Sequence, residues 1–255
     1  MRTLLIVLVV TLGVRGDESP TLTAEEQQLA AEAERHNAAA FGDFQAGRFA
    51  DAVVKLRQAL KIREQVYSPT RFPGGHDDLA TSHNNLALVL LSMGQGEQAL
   101  QGFEQALAAY RRLYPPAKHP DGHFNIATAL NNMGLVLDEI GQTERAHDHF
   151  RQGLVMRQKL AGADDRKANG SLAGSHNNVA ATLERLGKAD QAMEHYREAL
   201  ALWRKVYPIE QFPDGDPEIS GTLGNLGVAA EALGKLPEAL DYHQQALAMD
   251  RKLYP

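Results

Sequence analysis

The chain has 255 residues, carries a net charge of −6 and is 44% hydrophobic but only 6% aromatic. Its basic residues are interspersed with acidic ones, which leaves no patch suited to nucleic acid. There is no cysteine, so a disulfide framework and a cysteine nucleophile are both excluded.

In chain order, the first element reads as an export signal over 1–16. Arg2 supplies the positive start, Leu4 to Val14 form an almost wholly apolar run, and Val14-Arg15-Gly16 offers a cleavage site before Asp17. Eleven such residues are too few to span a bilayer, so no membrane span is expected after cleavage. The expected location is periplasmic or secreted if the signal is removed, and cytoplasmic or N-terminally anchored otherwise. Residues 17–22 form a polar linker. Helical text begins at Thr23, with Glu25 and Glu26 in a first turn whose dipole favours acids.

From there a glycine returns at Gly47, Gly94, Gly141, Gly187 and Gly234, at intervals of 47, 47, 46 and 47 residues. A fixed period of this size marks a repeat array whose units bury their apolar faces only against neighbours. The units are 23–67, 79–114, 125–161, 172–207 and 218–254. In the second, helix A is expected over 79–93 and helix B over 97–114, separated by a turn at Gly94-Gln95-Gly96. Ala99, Leu100, Phe103, Ala106, Leu107 and Tyr110 recur at helical spacing and define the buried stripe of helix B. Tyr110, Tyr196 and Tyr242 fall in such stripes, and Trp203 is expected to pack on the following unit. Between units run "YSPTRFPGGHDD", "YPPAKHPDGHFN", "AGADDRKANG" and "YPIEQFPDGDPE", of which three are punctuated by Pro and Gly and read as turns or extended loops. The stretch 161–170 lacks prolines and aromatics and is expected to be a less ordered loop.

These units resemble the tetratricopeptide repeat family. The large-small pair of helix A is Leu86-Ala87, Met133-Gly134, Val179-Ala180 and Leu226-Gly227, while unit one has Ala39-Ala40 instead. In helix B the first small position is Ala52, Ala99, Ala146, Ala192 and Ala239, and the second is Ala59, Ala106, Gly153, Ala199 and Ala246. The residue four after the first is Leu56, Phe103, Phe150, Tyr196 and His243. The resemblance covers 23–255 and implies an all-α fold, a right-handed superhelical solenoid of about five helix-turn-helix repeats. The period exceeds the family's usual length of about 34 residues. Extended units of this kind look like the kinesin-light-chain type, and like bacterial arrays that precede caspase-like CHAT domains.

By the same resemblance, helix A lines a concave groove that takes an extended peptide or partner protein. The groove-facing positions are then Asn84 and Asn85, Asn131 and Asn132, Asn177 and Asn178, and Gly224 with Asn225. An asparagine offers both a donor and an acceptor, so one such pair per repeat suits a peptide backbone. The same pairs could instead bond neighbouring helices and fix the repeat angle. The concave face adds Phe41 and Phe44, then Leu88 and Leu91, then Asp138 and Glu139, Glu184 and Arg185, and Glu231. That is a groove apolar at its start and acidic toward its end, suited to a ligand with apolar and basic residues. Alternatively the charges are solvated and paired along the helices.

Nothing in the sequence supports catalysis or a cofactor. No phosphate loop or serine elbow is present. His147 and His149 are two apart on a helix and point about 200° apart, so they cannot share one metal ion. His83 and His176 sit at equivalent repeat positions beside the asparagine pairs. The fifth unit ends at Pro255 with no polar helix over its apolar face. A longer array, stacking on another copy and capping by a partner would each account for that.

Overall fold

A computed structural model of the chain describes residues 20–162 and 165–254. The signal of 1–16 and the beginning of the linker lie outside the described residues. Ten helices follow in order: α1 (Ala24–Gln45), α2 (Phe49–Val66), α3 (Asp77–Ser92), α4 (Gly96–Leu113), α5 (Phe124–Glu139), α6 (Thr143–Leu160), α7 (Arg166–Arg185), α8 (Ala189–Val206), α9 (Pro217–Ala232) and α10 (Leu236–Leu253). Odd-numbered helices are the A helices and even-numbered ones the B helices. The fold among the described residues is all-α, as expected. No described helix is long and apolar enough to cross a membrane.

The chain divides into two compact units, Met1–Pro120 and Asp121–Pro255. In unit 1, α1 pairs with α2 and α3 with α4, and α2 packs on α3. In unit 2 the pairs are α5 with α6, α7 with α8 and α9 with α10, joined through α6 on α7 and α8 on α9. Within a unit, the stripes of α2, α6 and α8 are thus covered by the A helix that follows. Ala52, Ala99, Ala146 and Ala192 are fully buried at the close approaches within the pairs. Leu56, Phe103, Phe150 and Tyr196 fill the core one turn later, whereas the fifth member of that series, His243, is only half-buried.

The repeated glycine closes each A helix. Gly94, at φ 72°, donates from its N–H to the Leu91 carbonyl, and Gln95 donates back to Leu90, so two orphan carbonyls at the helix end are satisfied. A side chain there would be strained in the left-handed region. The turn is so tight that helix B starts without a side-chain cap.

The inter-unit loops are ordered by their aromatics. Tyr67 stacks on the His76 ring at 3.6 Å between centroids, and Phe72 packs edge-on against both. The loop at 207–216 repeats this with Tyr207 and Phe212 edge to face at 5.1 Å. These loops also cap the next A helix. His76 Nδ1 accepts from the Asp78 N–H at 3.2 Å, His123 Nδ1 from Asn125 at 3.2 Å, and Asp216 from Glu218 at 2.9 Å.

One sequence expectation is corrected here. The stretch 161–170 is not a loop throughout, because α7 begins at Arg166. Asp165 accepts from the N–H groups of Lys167 and Ala168 and starts the helix early. The missing prolines, read from the sequence as a sign of disorder, instead leave the helix free to extend.

Glycines inside the A helices separate two roles. A Cβ on Gly134 would stand 2.7 Å from the Phe150 ring, whereas one on Gly221 would meet nothing within 4 Å. Alanine in a helix gains roughly 1 kcal/mol over glycine, and overpacking a core costs about 1–3 kcal/mol. Gly221→Ala is therefore expected to raise stability in urea unfolding by up to about 1 kcal/mol, and Gly134→Ala to lower it by up to about 2 kcal/mol.

Candidate peptide-binding face

The asparagine pairs bridge neighbouring A helices. In unit 1, Asn85 Nδ2 donates to Asn37 Oδ1 and Asn84 Nδ2 to Asn85 Oδ1, each at 3.4 Å. In unit 2, Asn178 Nδ2 donates to Asn131 Oδ1 at 2.9 Å, and Asn177 Nδ2 to Thr222 Oγ1 at 2.9 Å. The partners lie 48, 47 and 45 residues apart, so each bond links one A helix to the next.

Of the two uses left open by the sequence, the inter-helix bond is the one made. Asn84, Asn85 and Asn132 are buried, at 2%, 0% and 7% exposure, and do not form the solvent-facing row expected of them. The cause is packing. A helices brought side by side enclose these positions, and an enclosed amide must find a partner within the protein. Asn131, Asn177, Asn178 and Asn225 remain half-exposed. Leu88 and Leu91 are likewise core residues rather than groove lining.

The acidic positions of unit 2 are only partly satisfied. Arg185 of α7 donates to Asp138 Oδ2 of α5, and the Tyr196 hydroxyl donates to Glu184 Oε2 at 3.1 Å. Two buried acceptors lack a donor among the described residues: Asp138 Oδ1 and Asn177 Oδ1. A buried oxygen left unpaired costs about 1–3 kcal/mol. Glu231 pairs with His243 at 3.2 Å.

The sequence reading missed three features. Asn37 lies 47 residues before Asn84 and Thr222 lies 47 after Ser175, so the repeat register contained both. The third is a histidine pair. His176 Nδ1 of α7 lies 3.0 Å from His195 Nδ1 of α8, a distance at which one ring must donate and the other accept. Only the spatial pairing of helix A with helix B brings them together. His147 shares a hydrogen bond of 3.0 Å with Thr182 Oγ1. Among the described residues no group of three or more His, Asp or Glu side chains is arranged to hold a metal ion.

A cavity of about 590 Å³ opens between the loop at 207–215, the start of α9 and the second half of α10. Tyr207, Ile209, Phe212, Ile219, Met249 and Lys252 contribute to its walls, which are mostly apolar.

Comparison with known proteins agrees with this geometry. A family model described as tetratricopeptide repeat matches residues 29–112, 78–159 and 171–252, most of the chain. The chain belongs to the tetratricopeptide repeat family. A crystal structure from Podosopora anserina, of kinesin light chain nearly identical TPR-like repeats, is similar over 91% of this chain and 98% of that one. Its TM-score is 0.67 at 21% identity. BtubC (BKLC) from P. vanneervenii is similar over 91% and 92%, with a TM-score of 0.59 at 20% identity. The apo form of RapI is similar over 87% of this chain and 54% of its own, with a TM-score of 0.64 at 16% identity. At these identities the likeness shows the fold alone. No protein with a curated description matches the chain. The fold is thus that of tetratricopeptide units, and kinesin-light-chain-like repeats are among its structural neighbours.

The histidine pair makes stability depend on pH. Burial, reinforced by the neighbouring His195, holds His176 down from 6.5 to about 4, and burial also lowers His195 and His147. Each unfolded histidine then binds protons that its folded counterpart refuses. Stability is therefore complete above pH 6.5 and is lost as the pH falls from there toward 4. Thermal unfolding followed from pH 7.5 to 5 is expected to show a falling Tm, with a shallower fall in His176→Gln.

Proposed function

We propose that the chain is a non-catalytic scaffold that holds an extended, basic segment of a partner protein along the A helices of unit 2. The observation that carries this reading is the pair of donor-less acceptors, Asp138 Oδ1 on α5 and Asn177 Oδ1 on α7. Around them stand Glu184 and the half-exposed Asn131, Asn178 and Asn225. The two unpartnered oxygens and the Glu184 carboxylate are acceptors, and donors are what backbone N–H groups and Lys or Arg side chains supply. Recruitment of a ligand arginine in place of Arg185 would leave the Asp138 carboxylate paired throughout. The helices are preorganised by their own asparagine bonds, so the ordering cost of binding falls on the flexible segment.

Asn84 and Asn85 lie in unit 1, where Asn85 bridges α3 to α1, and Asn132 is enclosed within unit 2. They belong to the scaffold, and Asn131, Asn177, Asn178, Asn225, Asp138 and Glu184 to the ligand. The ligand class is a protein or peptide, with no cofactor.

A displayed library of random peptides, selected on the chain, tests this. Selection is expected to enrich extended sequences carrying Lys or Arg. Asp138→Asn combined with Glu184→Gln should weaken the selected peptides about tenfold, a change of roughly 1.4 kcal/mol, with an unchanged circular dichroism spectrum. No enrichment, or binding indifferent to the double variant, would overturn the proposal.

A further inference from the structure

Helices α10 and α1 carry exposed faces whose counterparts on α8 and α3 are largely buried. Leu236, Leu240 and Leu247 on α10 are 65%, 59% and 51% exposed. Their equivalents on α8, 47 residues earlier, are Ala189, Met193 and Leu200, and all three are buried, with α9 packed against their helix. The exposed side of α10 is thus a seat for an A helix. On α1 the stripe Ala31, Arg35, Ala38 and Gly42 is exposed. On α3, which α2 packs against, the corresponding stripe is Asp78, Ser82, Asn85 and Val89, and its last three members are buried. Three of the four exposed α1 residues are small, as a helix needs in order to seat bulky leucines.

Charge makes the match specific. At two of the three described junctions within a unit, an arginine at one fixed position of helix B donates to a serine of the next A helix. Arg63 of α2 donates to Ser82 Oγ of α3 at 2.7 Å, and Arg157 of α6 donates to Ser175 Oγ of α7 at 2.5 Å. On α10 that position is Asp250, and on α1 the position of the serine is Arg35. The cationic and uncharged members of those two junctions are replaced on α10 and α1 by an acid and a base, whereas between α8 and α9 the position of the arginine is Trp203. Asp250 accepts from Ser220 through Oδ1, and Arg35 has no ion-pair partner among the described residues.

We propose that copies of this chain associate head to tail, the exposed face of α10 in one copy seating the outer face of α1 in the next. Leu240 and Leu247 lie against Ala31, Ala38 and Gly42 of the second copy, and Asp250 pairs with its Arg35. The contact joins two different surfaces, so it leaves one of each free and can be repeated. It uses neither Asp138 nor Glu184 and is independent of the peptide-binding proposal.

Sedimentation velocity of the full chain over a range of concentrations tests the proposal, with each variant first shown by circular dichroism to be folded. The wild-type chain should grow in size with concentration. Leu247→Glu should stay monomeric, as should Ala38→Glu, and an equimolar mixture of the two should form dimers and nothing larger. That last result arises only if each blocked copy keeps one good surface of the opposite kind. Asp250→Arg should weaken association at least about tenfold, because like charges would then face each other, and combination with Arg35→Asp should restore it. A wild-type chain monomeric at every concentration would overturn the proposal. So would an Ala38→Glu chain that still dimerises by itself, since α10 would then be pairing with α10.

Discussion

A single helix pair of this chain cannot cover its own apolar stripe, and this constraint shapes the rest of the molecule. The alanines at Ala52, Ala99, Ala146 and Ala192 let each pair close tightly, but closing the pair leaves the opposite side of helix B bare. Only another A helix covers it. Met193 and Leu200 of α8 are buried where α9 packs, whereas Leu240 and Leu247 of α10 are 59% and 51% exposed. Stability is therefore a property of junctions rather than of individual repeats.

Coverage of one helix by the next also decides what the polar residues do. Packing B helices under A helices brings successive A helices side by side, and their middle positions become enclosed. Asparagine fits such a position because it donates on one side and accepts on the other, so Asn178 on Asn131 and Asn85 on Asn37 satisfy one another across the gap. Where the acceptors outnumber the donors, at Asp138 and Asn177, a buried oxygen is left without a partner among the described residues. The bonds that space the helices and the oxygens left without a donor thus come from the same rows of side chains in two states of satisfaction.

Much of this was legible in the sequence, for a physical reason. The period of Gly47, Gly94, Gly141, Gly187 and Gly234 follows from a left-handed turn that few other residues adopt, so the helix pairs could be read almost to the residue. The 161–170 segment was misread because absent prolines were taken as loss of order, when Asp165 was there to cap an earlier helix. The fates of Asn84 and Asn85 could not be read, since spacing along one helix places a residue on a face without saying what covers that face. His176 and His195 meet across a helix pair, and no local pattern announces such a meeting. The unusual histidine caps at His76 and His123 were missed because serine, threonine and aspartate are the expected capping residues.

Hydrogen exchange along unit 2, measured on dilute protein, addresses the junction constraint directly. Helices α8 and α10 have the same length and equivalent sequences, and differ in being covered by a following A helix. If junctions supply the stability, amides in the middle of α10 exchange at least about a hundredfold faster than those of α8, a difference of roughly 2.7 kcal/mol in local opening. Equal protection in the two helices would contradict the account, because α10 would then be stable without a neighbour on its leucine face.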